Sequence, residues 1–288
     1  MKFTTYRFKL PQLYFSMSII LTTLFVGAKD SIEWYYQNYT YLRNGMPSDV
    51  DPEAVEQIVN MTSGYNIFMS GIGLGNSGAY PIFLFLIIGF IFSCRFSKEL
   101  NSGNAINEIV RIGYHKYHIH IALDNIINTF LFVFITLLIF LITCIVFFSP
   151  TLPKPGYGME IYSATYLFYT IPFLYCVIQI LNQAFFCSLI SLISMASAYF
   201  TNYVIVSKIM PLTTYLFLTV ISQLFYKFTH ISFWSFLFPD MIFTPFKVYG
   251  NTGLGFVAEK LLSYLFFILF AVLSQLLLYK KFKTNYLK

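Results

Sequence analysis

TYLFYTIPFLYCVIQILNQAFFCSLISLISMASAYFTNYVIVSKIMPLTTYLFLTVISQLFY, residues 165–226, carries a single charged residue, Lys208. A helix that crosses a bilayer needs about 20 mostly apolar residues. The stretch is far too long for one crossing and reads as a tight pair of spans, Pro172–Ser197 and Val204–Tyr226. The pair sets the parity of the whole chain. With two crossings here both termini fall on one side of the membrane; with one, the C-terminus moves to the other.

Four further stretches meet the length and apolarity of a span: Leu10–Ala28, Gly71–Cys94, the charge-free Ile126–Phe148, and Leu261–Tyr279. The expectation is an all-α, polytopic integral membrane protein with six transmembrane helices, forming one domain over residues 1–288. Composition agrees. Hydrophobic residues make up 57% and charged residues 10%, with a mean hydropathy of +0.68. A soluble domain carries about 25% charged residues to cover its surface. Lys2, Arg7 and Lys9 precede the first apolar run as in a signal peptide. That run meets Lys29-Asp30 and no small-residue cleavage site, so it reads as a retained first span.

Charge orients the six. With both termini inside, 12 basic residues fall on the inner segments and 6 on the outer ones. Nine of the twelve acids lie outside, including Asp49, Asp51, Glu53 and Glu56 of the outer loop 29–70. The excess of Lys and Arg inside is the established orienting signal, and it places both termini in the cytoplasm. The net +6 is thereby a consequence of topology and gives no reason to expect a nucleic-acid partner. Basic and aromatic residues of the N-terminal segment would meet anionic headgroups of membrane lipids.

Catalytic motifs fail one by one. No GxxxxGK[ST] string exists, so the chain carries no phosphate-binding loop of its own. No histidine is followed by the Glu of HExxH. His115, His118 and His120 sit beside Tyr114, Lys116 and Tyr117 and read as an interfacial face. Cys94, Cys144, Cys176 and Cys187 lie singly in apolar runs and read as small packed side chains. Gly75-Asn76-Ser77-Gly78 contains the GxSG of intramembrane serine proteases, but His230 is the lone histidine on that side. A serine nucleophile needs a base, and packing through small residues explains the string more simply. Sequons begin at Asn38 and Asn60.

Three features remain as functional residues. In the fourth span, Gln179, Asn182 and Gln183 recur at helical spacing, followed by Ser188, Ser191 and Ser194. Such groups either join helices or line a substrate path. The segment 95–125 holds a short amphipathic stretch, with Ile106, Ile109 and Val110 among Asn107, Glu108 and Arg111. Between the fifth and sixth spans, His230–Gly250 is apolar and aromatic but broken by Pro239, Asp240 and Pro245. It reads as a re-entrant or interfacial segment, tolerated where protein or water satisfies its backbone.

At Glu99-Leu100-Asn101-Ser102-Gly103, with Arg111 following, the chain resembles the permease subunits of type-2 ATP-binding-cassette (ABC) exporters. In that family a Glu-x-x-x-Gly string follows the second span and a basic position comes shortly after. The likeness of layout extends over nearly the whole chain, from the basic aromatic N-terminus to the broken segment before the last span. Where many relatives carry a Pro-containing stretch after the basic position, this chain has Tyr114-His115-Lys116-Tyr117. The resemblance implies a multi-pass protein of the cell membrane, a bacterial plasma membrane, that is not itself an enzyme and holds no cofactor. ATP and Mg would be bound by a separate cytoplasmic ATPase subunit, and a second permease copy or homologue would complete the dimer. It implies that Glu99, Gly103, Glu108 and Arg111 couple to the ATPase and that Phe233, Trp234, Pro239 and Asp240 form an outer gate, while Gln179, Asn182 and Gln183 stay the candidate substrate path on their own polarity. The implied cargo is an amphipathic peptide or lipid-like molecule, because the spans hold no buried charge to match an ionic solute. The acidic outer loop supports a different expectation: a membrane sensor or immunity protein that binds a cationic peptide without transport.

Overall fold

A computed structural model describes residues 10–44, 51, 63–74, 79–148, 152–153, 165–199, 201, 203–229 and 256–286. Among the described residues the chain is helical, with no strand, and six helices are long and apolar enough to cross a membrane. They are Leu10–Gly27, Ala79–Asn101, Tyr114–Phe147, Pro172–Ala198, Val204–Ile221 and Leu261–Lys281. The chain is thus an all-α, multi-pass membrane protein. The pair within 165–226 is two spans. The fourth, α9 (Pro172–Met195), opens on a proline at its first turn, where the absent N–H costs nothing. It tightens into a 3-10 turn over Ala196–Tyr199 before the fifth, α10 (Val204–Thr229). Residues 230–255 lie outside the described residues, and with them Phe233, Trp234, Pro239, Asp240 and the expected re-entrant segment.

The soluble segments between the first three spans carry more helix than their polarity suggests. After α1 (Leu10–Gly27) the chain turns once at Ala28 and continues as α2 (Lys29–Asn44). The Ile32 amide bonds the Ala28 carbonyl at 3.0 Å, so the hydrogen-bond ladder crosses the junction. The segment 29–70 therefore begins as a helix and ends in another, α3 (Gly64–Met69), followed by a π turn at Ser70–Leu74. Asn38 of the first sequon is buried, and its Nδ2 donates to the Trp34 carbonyl at 2.9 Å. That amide is the atom a glycan would take. The second sequon and residues 75–78 fall outside the described residues.

Helix α4 (Ala79–Ile88), a π turn at Gly89–Ser93 and α5 (Arg95–Asn101) run on as the second span. In the π turn the Cys94 amide bonds Gly89 O, five residues back, at 3.2 Å. Arg95 and Glu99, expected in a loop past the membrane, stand on this same helix. A charge does not end a helix when its partner stands four residues on. A tight αL turn at Gly103 leads to α6 (Asn104–Ile112), and a second positive-φ glycine, Gly113, leads to α7 (Tyr114–Phe147). At 1.5 Å per residue the 34 residues of α7 extend about 51 Å. A hydrocarbon core is about 30 Å thick, so α7 projects well beyond it. Helix α11 (Phe256–Tyr286) carries the sixth span.

Packing divides the chain into two units, Met1–Leu84 with Thr136–Pro153, and Phe85–Ile135 with Lys154–Lys288. In the first, Phe140 receives Phe25 edge-on at 5.0 Å and Phe68 at 5.7 Å. Gly71 lies against the Phe140 ring and the Leu24 carbonyl, where an added Cβ would come within 2.7 and 2.9 Å. In the second unit α9 is the most enclosed span. There Gly89 sits so near the Lys208 carbonyl of α10 that a Cβ would collide with backbone. Phe85 stacks on Tyr215 at 4.8 Å above this crossing.

Because backbone cannot yield as a side chain can, Gly89→Ala should force the second and fifth spans apart. Overpacking of this kind costs about 1–3 kcal/mol. Thermal stability in detergent, followed by size-exclusion after heating, should fall for Gly89→Ala and stay level for Ile139→Leu on an exposed face.

Candidate functional site

Within the second unit, polar side chains from three spans meet around Ser191. Its Oγ donates to Asn125 Oδ1 at 2.8 Å and lies 3.0 Å from Ser93 Oγ. Thr129 Oγ1 donates to the same Ser191 hydroxyl at 3.3 Å, and Asn125 Nδ2 donates to the Ser191 carbonyl at 3.4 Å. One turn along, Ser207 of α10 contacts both Ser97 at 2.6 Å and Ser197 at 2.9 Å. All seven residues are buried. Sequence reasoning noted Ser191 but not the others. Their signal was present as the i, i+4 pairs Ser93/Ser97 and Asn125/Thr129, each on one helix face.

Just past this cluster stands an ionic junction. Arg95 Nε donates to Glu99 Oε1 at 2.8 Å, and its Nη1 reaches Asp124 Oδ2 of α7 at 3.1 Å. Tyr117 OH donates to Glu99 Oε2 at 2.7 Å. Arg95 and Glu99 side chains are only 12% and 13% exposed. Both oxygens of Glu99 are thereby occupied within the chain, so this carboxylate holds α5 against the first turns of α7.

Between α5 and α7 stands α6, flanked by Gly103 at φ 75° and Gly113 at φ 84°. Left-handed backbone favours glycine because a Cβ would crowd the following carbonyl. Around both glycines the space is open, so backbone conformation alone explains the residue type. Ala105 faces inward, while Ile106 and Val110 are exposed, Val110 at 82%. Glu108 and Arg111 pair across one turn at 3.4 Å on the same short helix. Glu99, Gly103, Glu108 and Arg111 thus stand on one hairpin-like segment, Glu99 facing inward and the α6 pair outward.

The other sequence-derived set lies on α9. Gln179, Asn182 and Gln183 are all buried, and Asn182 Oδ1 accepts from Tyr264 OH of α11. The Tyr264 ring stacks on Phe186 at 5.0 Å, and Phe267 meets Phe186 edge-on at the same distance. Farther along, Gln275 Nε2 donates to Leu192 O at 2.6 Å. Asn182 on this face is thus engaged by α11.

The histidines follow an aromatic logic. His118 is buried against Tyr114 and Tyr279, and His115 meets the Tyr279 ring edge-on at 5.9 Å. Tyr114 OH donates to Tyr279 O at 3.2 Å, which ties the start of α7 to the end of α11. The four cysteines are buried and form no disulfide. Comparison of the chain with family models, curated proteins and solved structures returned no match. What the geometry defines is a multi-span helical membrane protein with a polar cluster, an ionic junction and an exposed amphipathic helix in succession.

Removing Arg95 leaves two carboxylates facing each other without their cation. Loss of one partner from a buried pair costs about 3–5 kcal/mol. Arg95→Gln should therefore lower thermal stability more than Glu99→Gln, which leaves the Arg95–Asp124 pair in place. Comparison of the two variants by the same heated size-exclusion assay checks the order.

Proposed function

We propose that the chain is the permease subunit of a type-2 ABC exporter. It would export an amphipathic peptide or lipid-like molecule, using ATP hydrolysed by a separate subunit. The observation that carries this reading is α6: a rigid amphipathic helix, exposed on its apolar side, hinged at two left-handed glycines and backed by the Arg95 junction. A soluble protein that seats on Ile106 and Val110 gains a handle connected by short covalent and ionic links to the second and third spans. The Glu-x-x-x-Gly string of the sequence falls on this structure. Gly103 forms the turn and Glu99 acts as the positioning residue behind it.

Coupling of this kind requires a partner whose affinity differs between two states of the permease. The junction suits that task because a shift of α5 along α7 would break the Arg95–Asp124 and Glu99–Tyr117 contacts while the Arg95–Glu99 pair travels with α5. The membrane side of the account places the termini and α6 in the cytoplasm, in agreement with the bias of basic residues. Within the spans, Asn182 and its neighbours would then be uncovered only when α11 moves from α9.

Affinity purification of the full chain from its host, under gentle solubilisation, should recover an ATPase bearing GxxxxGK[ST]. Val110→Asp should reduce that recovery without altering the elution of the permease alone. Recovery of the wild-type chain with no ATPase would overturn the transport reading.

A further inference from the structure

We propose that Lys98 and Lys208, with the ring of Phe90, form a binding site for the phosphate of an anionic phospholipid in the leaflet beside that end of the second and fifth spans. Lys208 is the one charge in the long apolar stretch 165–226, and it lies within the fifth span. A cation at such a position is costly and calls for a specific counterpart. Among the described residues it has no carboxylate partner. Its Nζ rests instead 5.0 Å from the centroid of the Phe90 ring. A cation–π contact attracts the ammonium without neutralising its charge, which an anion would do.

The second cation is brought there by the fold. Ser97 and Ser207 touch at 2.6 Å, and each is followed in its own helix by one of the two lysines. Lys98 is exposed, and among the described residues it too has no carboxylate partner. The nearest acid in sequence, Glu99, is taken by Arg95 and Tyr117. Phe90 itself is 51% exposed and offers an apolar strip for an acyl chain. The two helices are held in a fixed geometry by the close approach of Gly89 to the Lys208 carbonyl and by the contacts of Ser207 with Ser97 and Ser197. Two ammonium groups on adjacent helices, an aromatic wall and an apolar strip match a phosphate joined to acyl chains better than a free ion. This inference is independent of the transport reading, since it concerns a lipid that stays with the protein.

The test uses the full-length chain, purified in detergent, delipidated and titrated with phosphatidylglycerol or phosphatidylcholine, with bound lipid counted by native mass spectrometry. The wild type should retain phosphatidylglycerol in preference to phosphatidylcholine. Each lysine near the surface is worth about a fivefold change in affinity. Lys98→Gln and Lys208→Gln should each weaken phosphatidylglycerol by about that factor, and the double variant by the product of the two. Lys208→Arg, which keeps the charge, should bind nearly as the wild type. Lys280→Gln with Lys281→Gln should leave the preference unchanged. Equal loss from the Lys280/Lys281 variant, or none from the Lys98/Lys208 variant, would overturn the site. Displacement of the lipid by inorganic phosphate alone would overturn the lipid assignment in favour of a free anion.

Discussion

In a bilayer, helices gain nothing by hiding apolar side chains from one another, because lipid tails are as apolar as leucine. Association rests on close packing and on hydrogen bonds between helices. In the second unit that role falls to the contact of Ser191 with Asn125. Ser191 accepts from or donates to groups on two other spans at once, and Asn125 bonds both its hydroxyl and its backbone carbonyl. Such bonds average about 0.6 kcal/mol in a membrane, with a maximum near about 1.7. Their strength lies in number and direction. Three spans must keep one register for all of them to be made together, and a slip of a single residue would bury several polar groups without partners.

The ion pairs of Arg95 adjoin that register. Arg95 follows Ser93 by two residues, and Asp124 precedes Asn125 by one. The ion pair is therefore the continuation of the same helix–helix contact toward the membrane end. Tyr117 and Tyr114 continue it farther, to Glu99 and to α11. The result is a sequence of fixed contacts from the interior of the spans to the base of α6. The two left-handed glycines at the ends of α6 then turn that helix away from the course of α5 and α7.

Much of this was legible in the sequence, and the physical reason is that bilayer thickness acts on composition. The third span announces itself by a charge-free run, and the division of residues 165–226 follows from length alone. Ends of helices were less legible. Residues 95–101 continue the second span because Arg95 and Glu99 satisfy each other, which hydropathy does not register. Residues 29–44 continue the first because the ladder passes through Ala28 unbroken. The site was legible by halves. Gln179, Asn182 and Gln183 were visible because amides are conspicuous in a span, while Ser93, Ser97, Thr129 and Ser207 were not, since single serines and threonines also bond their own helix. Gly103 was read from a family-like string, and its left-handed turn gives that string a physical cause. The partner of Glu99 could be known only from the fold, since Tyr117 lies eighteen residues away.

The central claim is that the Arg95 junction holds α6 in a defined direction relative to the spans it serves. Spin labels at Val110 on α6 and at Lys280 on α11, both exposed, would read that direction as a distance distribution by pulsed electron resonance. The account predicts one narrow distribution in the otherwise native chain and a broad one once Arg95 is replaced by Gln. Equal widths in the two would contradict it.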